Sequence, residues 1–315
     1  MKYEIKVGNC LDVLKTMGDE SVHCCVTSPP YWALRNYDHP DQLGQESTPE
    51  EYVNNLVEIF AEVRRVLRAD GTLWLNLGDS YVGTGSKGKH KDPKSNSRNG
   101  QTTANNNKVQ GLKPKDMVGI PWRVAFALQE DGWYLRSDII WHKNNCMPSS
   151  VKDRPTSSHE HIFLLAKSQK YYYDKDAILE PLTHPELCDK GPSGFGGLKH
   201  TAMADKTTNT TYSGNKYDAR KLKGKNKRDV WTVGTSGYKG SHVAVYPPKL
   251  IEPCILAGCP NGGIVLDPFS GAGTTGVVSL QNGKEYIGIE LNPEYVKISE
   301  DRINDSCANL FEVLE

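Results

Sequence analysis

Leu266-Asp267-Pro268-Phe269-Ser270-Gly271-Ala272-Gly273-Thr274-Thr275-Gly276 follows a short apolar run from Ile264 and leads into a helical pattern over Thr274 to Leu280. It reads as the turn between a buried strand and a helix. Glycines at 271 and 273 permit a tight turn and close backbone approach by a ligand. Gly271, Gly273 and Gly276 satisfy G-x-G-x-x-G, the dinucleotide-type fingerprint, which by itself is weak. Glu290 strengthens it. An acid at the end of the next strand, Tyr286 to Glu290, suits the hydroxyls of a ribose. An adenosine-containing ligand is expected here.

Position then decides what kind of sheet surrounds the loop. Only 44 residues follow Gly271. A nicotinamide oxidoreductase needs most of its sheet after this turn. The remaining strands must therefore come from upstream, in a circularly permuted order. Upstream there are enough elements. Lys2 to Val7 alternates as a strand, and Asn9 is placed to cap a short helix over Leu11 to Met17. His23 to Thr27 is a buried strand that stops at Pro29-Pro30. Thr48-Pro49-Glu50-Glu51 is a helix start with a capping box. Apolar residues then recur at helical spacing, and Gly71 is expected to close that helix. Thr72 to Leu77 is a strand, and Pro121 opens a helix through Leu128. Tyr134 to Lys143 and His161 to Lys167 are two further strands. Pro248 to Ala257 is expected to be helical, and Asn292-Pro293-Glu294 starts the last helix. Alternating strands and helices predict an α/β fold with a mostly parallel sheet covered on both faces.

The second informative loop is Thr27-Ser28-Pro29-Pro30-Tyr31-Trp32, at the C-terminal end of a strand, the edge where open α/β sheets bind ligands. Two prolines stiffen the backbone and remove its amide hydrogens. Tyr31 and Trp32 are read as flat apolar surface at the mouth of the site.

Taken together, the two loops resemble those of the DNA amino-methyltransferases, which methylate the exocyclic nitrogen of cytosine or adenine from S-adenosylmethionine. Ser28-Pro29-Pro30-Tyr31 matches the family's S/D/N-P-P-Y/F motif. Asp267, Phe269, Gly271, Gly273 and Thr274 match its D-x-F-x-G-x-G-T motif. The catalytic motif comes first, as in the beta-type arrangement. The resemblance implies a Rossmann-like methyltransferase fold, a seven-stranded, mostly parallel sheet with a reversed hairpin over Tyr134 to Lys143 and His161 to Lys167. It makes Ser28, Pro29, Pro30 and Tyr31 the catalytic group, with Tyr31 as a stacking platform for a flipped base. It assigns Asp267, Phe269, Gly271, Gly273, Thr274, Thr275, Glu290, Asn9 and Tyr246 to the S-adenosylmethionine site. Tyr246 lies in His242 to Leu250, a segment similar to the family's motif that closes over the methionine end of the cofactor. Asn9 stands where many members carry an acid. Ser before Pro-Pro leans toward N4 of cytosine, where Asp leans toward N6 of adenine. Protein-glutamine methylases of related type carry N-P-P-Y after the cofactor loop, the opposite order.

Charge is distributed unevenly. The 315 residues carry 38 Lys+Arg and 38 Asp+Glu, for a formal net charge of zero. Residues 82–113 hold seven basic side chains against Asp92, and residues 183–230 hold ten against Glu186, Asp189, Asp205, Asp218 and Asp229. The remainder of the chain is therefore net acidic. Both segments read as flexible basic insertions in one catalytic domain spanning 1–315, the second a candidate target-recognition region. Lys216, Arg220, Lys221, Lys223, Lys225, Lys227 and Arg228 form its sharpest cluster, of which Lys221, Lys223, Lys225, Lys227 and Arg228 are expected to contact DNA phosphates. Solvated loops kept soluble by charge are the plain alternative.

No apolar stretch approaches the roughly 18 residues of a membrane span. Met1 to Lys6 has no apolar core of a signal peptide, and none of the eight cysteines forms C-x-x-C. A cytoplasmic, DNA-associated enzyme without a metal is expected, with double-stranded DNA as partner. The resemblance leaves room for a cognate restriction endonuclease and for a homodimer. Pro253-Cys254 resembles the nucleophile of ring-carbon cytosine methylases, but its place in a helix before the cofactor strand makes Cys254 a core thiol. The competing classes are a nicotinamide oxidoreductase, a non-catalytic DNA-binding protein, and a methylase of RNA or protein.

Overall fold

The computed structural model describes residues 2–34, 39–83, 111–182, 224–235 and 245–312. In chain order the elements are β1 (Tyr3–Val7), α1 (Cys10–Thr16), β2 (Val22–Thr27), α2 (Pro49–Val66), β3 (Leu67–Leu77), α3 (Ile120–Glu130), β4 (Tyr134–His142) and β5 (His159–Ala166). They continue with β6 (Val230–Thr232), α4 (Pro248–Gly258), β7 (Ile264–Asp267), α5 (Thr274–Gln281), β8 (Glu285–Glu290) and α6 (Pro293–Glu312). The strands form one sheet in the order β1-β8-β7-β2-β3-β5-β4-β6. Every adjacent pair is parallel except those of β5, which runs against both β3 and β4.

The reversed hairpin and the permuted order are both present. Seven strands fall where the sequence places them, and the three-residue β6 extends the sheet beyond β4. β1 lies beside β8 in parallel, so the first and last parts of the chain meet at one edge of the sheet. From β7 the chain runs outward through β8 to the edge, whereas from β2 it runs the other way through β3. The β7–β2 junction is therefore the switch point, where open α/β sheets bind ligands at the carboxyl ends of their strands.

Local signals explain the elements. Asn9 caps α1 by accepting from the Leu11 amide at 2.9 Å. Thr48 and Glu51 form the reciprocal capping box of α2. Its buried stripe of Tyr52, Leu56, Phe60 and Val63 packs on Leu73, Leu75 and Leu77 of β3. Each such fully buried side chain is worth about 1.5–3 kcal/mol relative to exposure. Gly71 does not close this helix. α2 ends at Val66, and buried Leu67 already pairs with Val22 of β2. The pairing is then interrupted and resumes at Cys24 with Thr72, so Arg68 to Asp70 project into solvent from a bulge.

Alternate β3 residues face α4. A Cβ on Gly258 would stand 2.8 Å from both Cys24 Sγ and Thr72 Oγ1, so glycine is what lets α4 lie flat on the sheet. Cys254 is fully buried on the same helix, as a core thiol.

The chain divides into two compact units, Met1–Asp174 with Asp229–Glu315, and Lys175–Arg228. The sheet and the six helices belong to the first. In the second, the described residues hold a 3-10 turn at Asp176–Ile178 and a bridge between Glu180 and Lys225. Among the described residues no helix is long and apolar enough to cross a membrane.

Candidate active site

The carboxyl ends of β1, β2, β3, β4, β7 and β8 and the start of β5 surround a cleft of about 1190 Å³. Asp267 organises its floor. This carboxylate is buried at the switch point and accepts from Thr27 Oγ1 at 2.6 Å, the Phe269 amide at 3.1 Å, Thr275 Oγ1 at 2.6 Å and the Tyr246 hydroxyl at 3.2 Å. Burial raises its pKa, and these four hydrogen bonds pull the other way. Thr27 ends β2 and immediately precedes Ser28. One buried carboxylate thus fixes the β7 turn against the S-P-P-Y loop.

The β7–α5 turn divides its residues between two tasks. Phe269, Gly271 and Thr274 line the cleft, together with Asn9, Tyr246 and Glu290. Asp267, Gly273 and Thr275 stand behind the wall. Gly273 adopts φ +74°, and a Cβ there would overlap Ser299 Oγ of α6. Its role is helix packing rather than ligand approach. Thr275 is fully buried and bonds Asp267 and Tyr246. Glu290 receives the Gly271 amide at 2.8 Å on one oxygen and the Asn292 amide at 2.9 Å on the other. Burial raises its pKa against the opposing pull of those amides. Each carboxylate oxygen keeps a second lone pair.

The S-P-P-Y loop is held from outside. Tyr52 of α2 donates its hydroxyl to the Pro30 carbonyl at 2.8 Å. Among the described residues, the Pro29 carbonyl accepts no hydrogen bond, and Ser28, Pro29, Pro30 and Tyr31 all line the cleft. Trp32 is not at the mouth. It is buried in the main core, and its indole donates to the Glu46 carbonyl at 3.0 Å. The Tyr31 ring rests on Gly78, where a Cβ would approach it to 2.6 Å. Its hydroxyl reaches Glu160 Oε2 at 2.6 Å, Asn76 Oδ1 at 3.1 Å and Ser28 Oγ at 3.4 Å. Burial, reinforced by the neighbouring Glu160 carboxylate, pushes its pKa well above the ordinary phenol value.

Four residues of this site carry no motif signal: Tyr52, Asn76, Lys143 and Glu160. Glu160 accepts from Asn76 Nδ2 at 3.2 Å and pairs with Lys143, whose ammonium lies 4.5 Å from the centre of the Trp141 ring. Sequence cues mark two of them, Asn76 and Glu160. Asn76 is a polar residue inside the apolar run Leu73 to Leu77, and Glu160 is a charge opening the apolar strand β5.

The expected DNA-contact cluster is only partly within the described residues. Lys221 and Lys223 lie outside them, as do most of residues 82–113 and 183–230. Lys225 and Lys227 each place Nζ 3.8 Å from Glu180. No group of three or more His, Cys, Asp or Glu suited to a metal ion occurs among the described residues.

A switch-point cleft with a glycine turn on one side and a proline-walled acceptor loop on the other defines a Rossmann-like enzyme that brings a nucleotide-type ligand to a polar acceptor. The chain belongs to the DNA methylase family, whose pattern matches residues 22–301. It is 46% identical over 306 residues to the type II methyltransferase M.Cfr9I of Citrobacter freundii, covering 97% of this chain and 89% of that protein. It is also 46% identical over 300 residues to M.SmaI of Serratia marcescens, covering 95% and 90%. Among solved structures, the cytosine-N4-specific PvuII DNA methyltransferase aligns with a TM-score of 0.62 at 18% identity, over 97% of this chain and 91% of that one. TTHA0409 of Thermus thermophilus, solved with S-adenosyl-L-methionine, aligns with a TM-score of 0.57 at 21% identity, over 97% and 96%.

Proposed function

We propose that this DNA methylase transfers a methyl group from S-adenosylmethionine to N4 of a cytosine in double-stranded DNA. The observation that carries the reading is the shared floor of the cleft, where Ser28 and Pro29 face the same space as Phe269, Gly271 and Glu290. The lining fits the cofactor. Glu290 offers its remaining lone pairs to ribose hydroxyls, Gly271 and Phe269 allow close approach of a flat ring, and Asn9, Thr274 and Tyr246 complete the wall. Lys143 is paired with Glu160, which leaves Asp41, Glu46, Glu58 and Glu290 to make the cleft acidic, and this suits a ligand carrying ammonium and sulfonium charge. When bound, S-adenosylmethionine supplies an electrophilic methyl group on sulfur.

The chain's residues prepare the acceptor. An exocyclic amine is a weak nucleophile because its lone pair is conjugated with the ring. Ser28 Oγ and the Pro29 carbonyl accept its two hydrogens, turn the lone pair out of the ring plane and stabilise the positive charge that develops. This is electrostatic preorganisation, with the sign opposite to that of an oxyanion hole. Tyr52 holds the Pro30 carbonyl, which keeps the loop's carbonyl directions fixed. Alignment of the two reactants within one cleft does much of the remaining work. The base leaves the duplex to enter the site, where Tyr31 supplies an aromatic face.

Ser28 favours cytosine, and the cytosine-N4-specific solved neighbour favours the same base. N6 of adenine is the second reading, supported by the equivalent geometry of its amine. We assign residues 1–315 to one catalytic domain, with residues 183–230 as the target-recognition region that tracks phosphates through Lys221, Lys223, Lys225, Lys227 and Arg228. A restriction endonuclease as functional partner fits the type II relatives.

The test is methylation of unmethylated DNA with S-adenosylmethionine, digestion to nucleosides and mass spectrometry. N4-methylcytosine is expected. N6-methyladenine would overturn the choice of base, and absence of any methylated nucleoside would overturn the reaction.

A further inference from the structure

We propose that Glu160 is a positioning residue that sets the direction of a hydrogen-bond chain through Tyr31 and thereby makes Ser28 present an acceptor, not a donor, to the target amine. The inference rests on the amine-acceptor role given to Ser28 above and deepens it.

The argument counts protons. A tyrosine hydroxyl has one proton to donate. Two acceptors lie near Tyr31 Oη, the Glu160 carboxylate at 2.6 Å and the Asn76 carbonyl oxygen at 3.1 Å. The shorter, charged contact takes the proton, because hydrogen bonds to an ionised acceptor are shorter and about twice as strong as neutral ones. Asn76 is oriented by its own amide group, which donates to the His161 carbonyl at 3.0 Å and to Glu160 at 3.2 Å. Lys143 pairs with the other Glu160 oxygen and supports its charge.

With its proton directed at Glu160, Tyr31 has only lone pairs left for Ser28. The Ser28 hydroxyl, 3.4 Å away, then donates to Tyr31 and turns its own lone pairs toward the cleft. That contact is long, as catalytic hydrogen bonds commonly are before substrate arrives. Without this bias, the Ser28 proton is free to point at the incoming amine, where it would oppose the lone-pair geometry that transfer requires. Glu160 touches neither reactant in this scheme. Its effect passes through Tyr31 alone.

The experiment is a double-mutant cycle with Glu160→Gln and Tyr31→Phe, read as kcat and KM for methyl transfer to DNA. A neutral glutamine removes the charged acceptor and leaves the Tyr31 proton to divide between Asn76 Oδ1 at 3.1 Å and Ser28 Oγ at 3.4 Å, so the bias on Ser28 is lost. Expected are a loss of kcat of about 100-fold in E160Q, the scale of losing one preorganised hydrogen-bonding group, little change in either KM, and under about three-fold further loss when E160Q is added to Y31F. Near-wild-type kcat in E160Q would overturn the proposal. So would equal losses from E160Q in both backgrounds, because the residue would then act by a route independent of Tyr31. S-adenosylmethionine binding by calorimetry checks that each variant is folded. If E160Q fails to fold, Glu160→Asp, which shortens the reach, takes its place in the cycle. Wild-type protein runs alongside. A methylated adenine from it would move the target base and leave the cycle intact, whereas no methylation at all would count against the parent reading.

Discussion

The two loops at the switch point place their motif residues in opposite ways. In the β2 loop, Ser28, Pro29, Pro30 and Tyr31 all line the cleft, and the groups that hold them, Tyr52, Asn76 and Glu160, come from elsewhere in the sequence. In the β7 loop, half of the motif supports itself. Asp267, Gly273 and Thr275 are turned away from the cleft and fix the turn, while Phe269, Gly271 and Thr274 face it. A short motif therefore mixes residues that meet the ligand with residues that hold the backbone, and only the fold separates the two. Asp267, which the resemblance assigns to the cofactor site, makes its hydrogen bonds within its own turn and to Thr27 and Tyr246.

This contrast can be broken by substitution. The largest effect is expected at Ser28→Ala, which removes a group that faces the reactants. Its kcat should fall about 10²–10³-fold, the scale for losing one preorganised hydrogen-bonding group. Thermal stability should stay near wild type, because among the described residues Ser28 Oγ makes one hydrogen bond, a long one to Tyr31. A melting temperature that fell along with kcat would show that the β2 loop also supports itself.

Gly273→Ala tests the other loop. The residue has φ +74° and no room for a Cβ beside Ser299. Strain and overlap together should cost about 2–4 kcal/mol of stability, read as a fall in denaturation midpoint. Per folded molecule, activity should change far less than in S28A.

A smaller effect with a distinctive pH signature is expected at Asp267. Burial raises its pKa in the fold above the ordinary 3.8. The folded state then holds its proton more tightly than the unfolded chain, so stability from this group is complete below the ordinary value and is lost as pH rises through the raised one. Asp267→Asn has no such titration. The stability of wild type relative to D267N should therefore narrow as pH rises above the ordinary carboxylate value. A margin that widened with pH would mean that the four donors outweigh burial.

The smallest effect concerns the basic cluster. Lys225 and Lys227 already share Glu180. Replacing both with Gln should weaken DNA binding and flatten its salt dependence by less than about 0.9 logarithmic unit per lysine, the value for a fully engaged phosphate contact. Filter binding across salt concentrations reads it directly. An unchanged slope would make the pair a structural clamp on Glu180.

Much of this enzyme is legible in its sequence because the signals are local. Strand–turn–helix patterning marked the glycine loop, Thr48 and Glu51 marked a helix start, and Asn9 marked another. The order of two short motifs, Ser28–Tyr31 before Asp267–Thr274, was enough to imply a permuted sheet. The tertiary structure decided what depends on distance between remote residues. Glu160 lies 129 positions from Tyr31 and Thr27 lies 240 from Asp267, yet both pairs meet at 2.6 Å. Trp32 beside Tyr31 went to the core rather than the mouth, because consecutive residues of a loop can face opposite directions. Propensity and spacing act along the chain, whereas hydrogen-bond direction, burial and the partner of each charge are set only when the sheet brings its strand ends together.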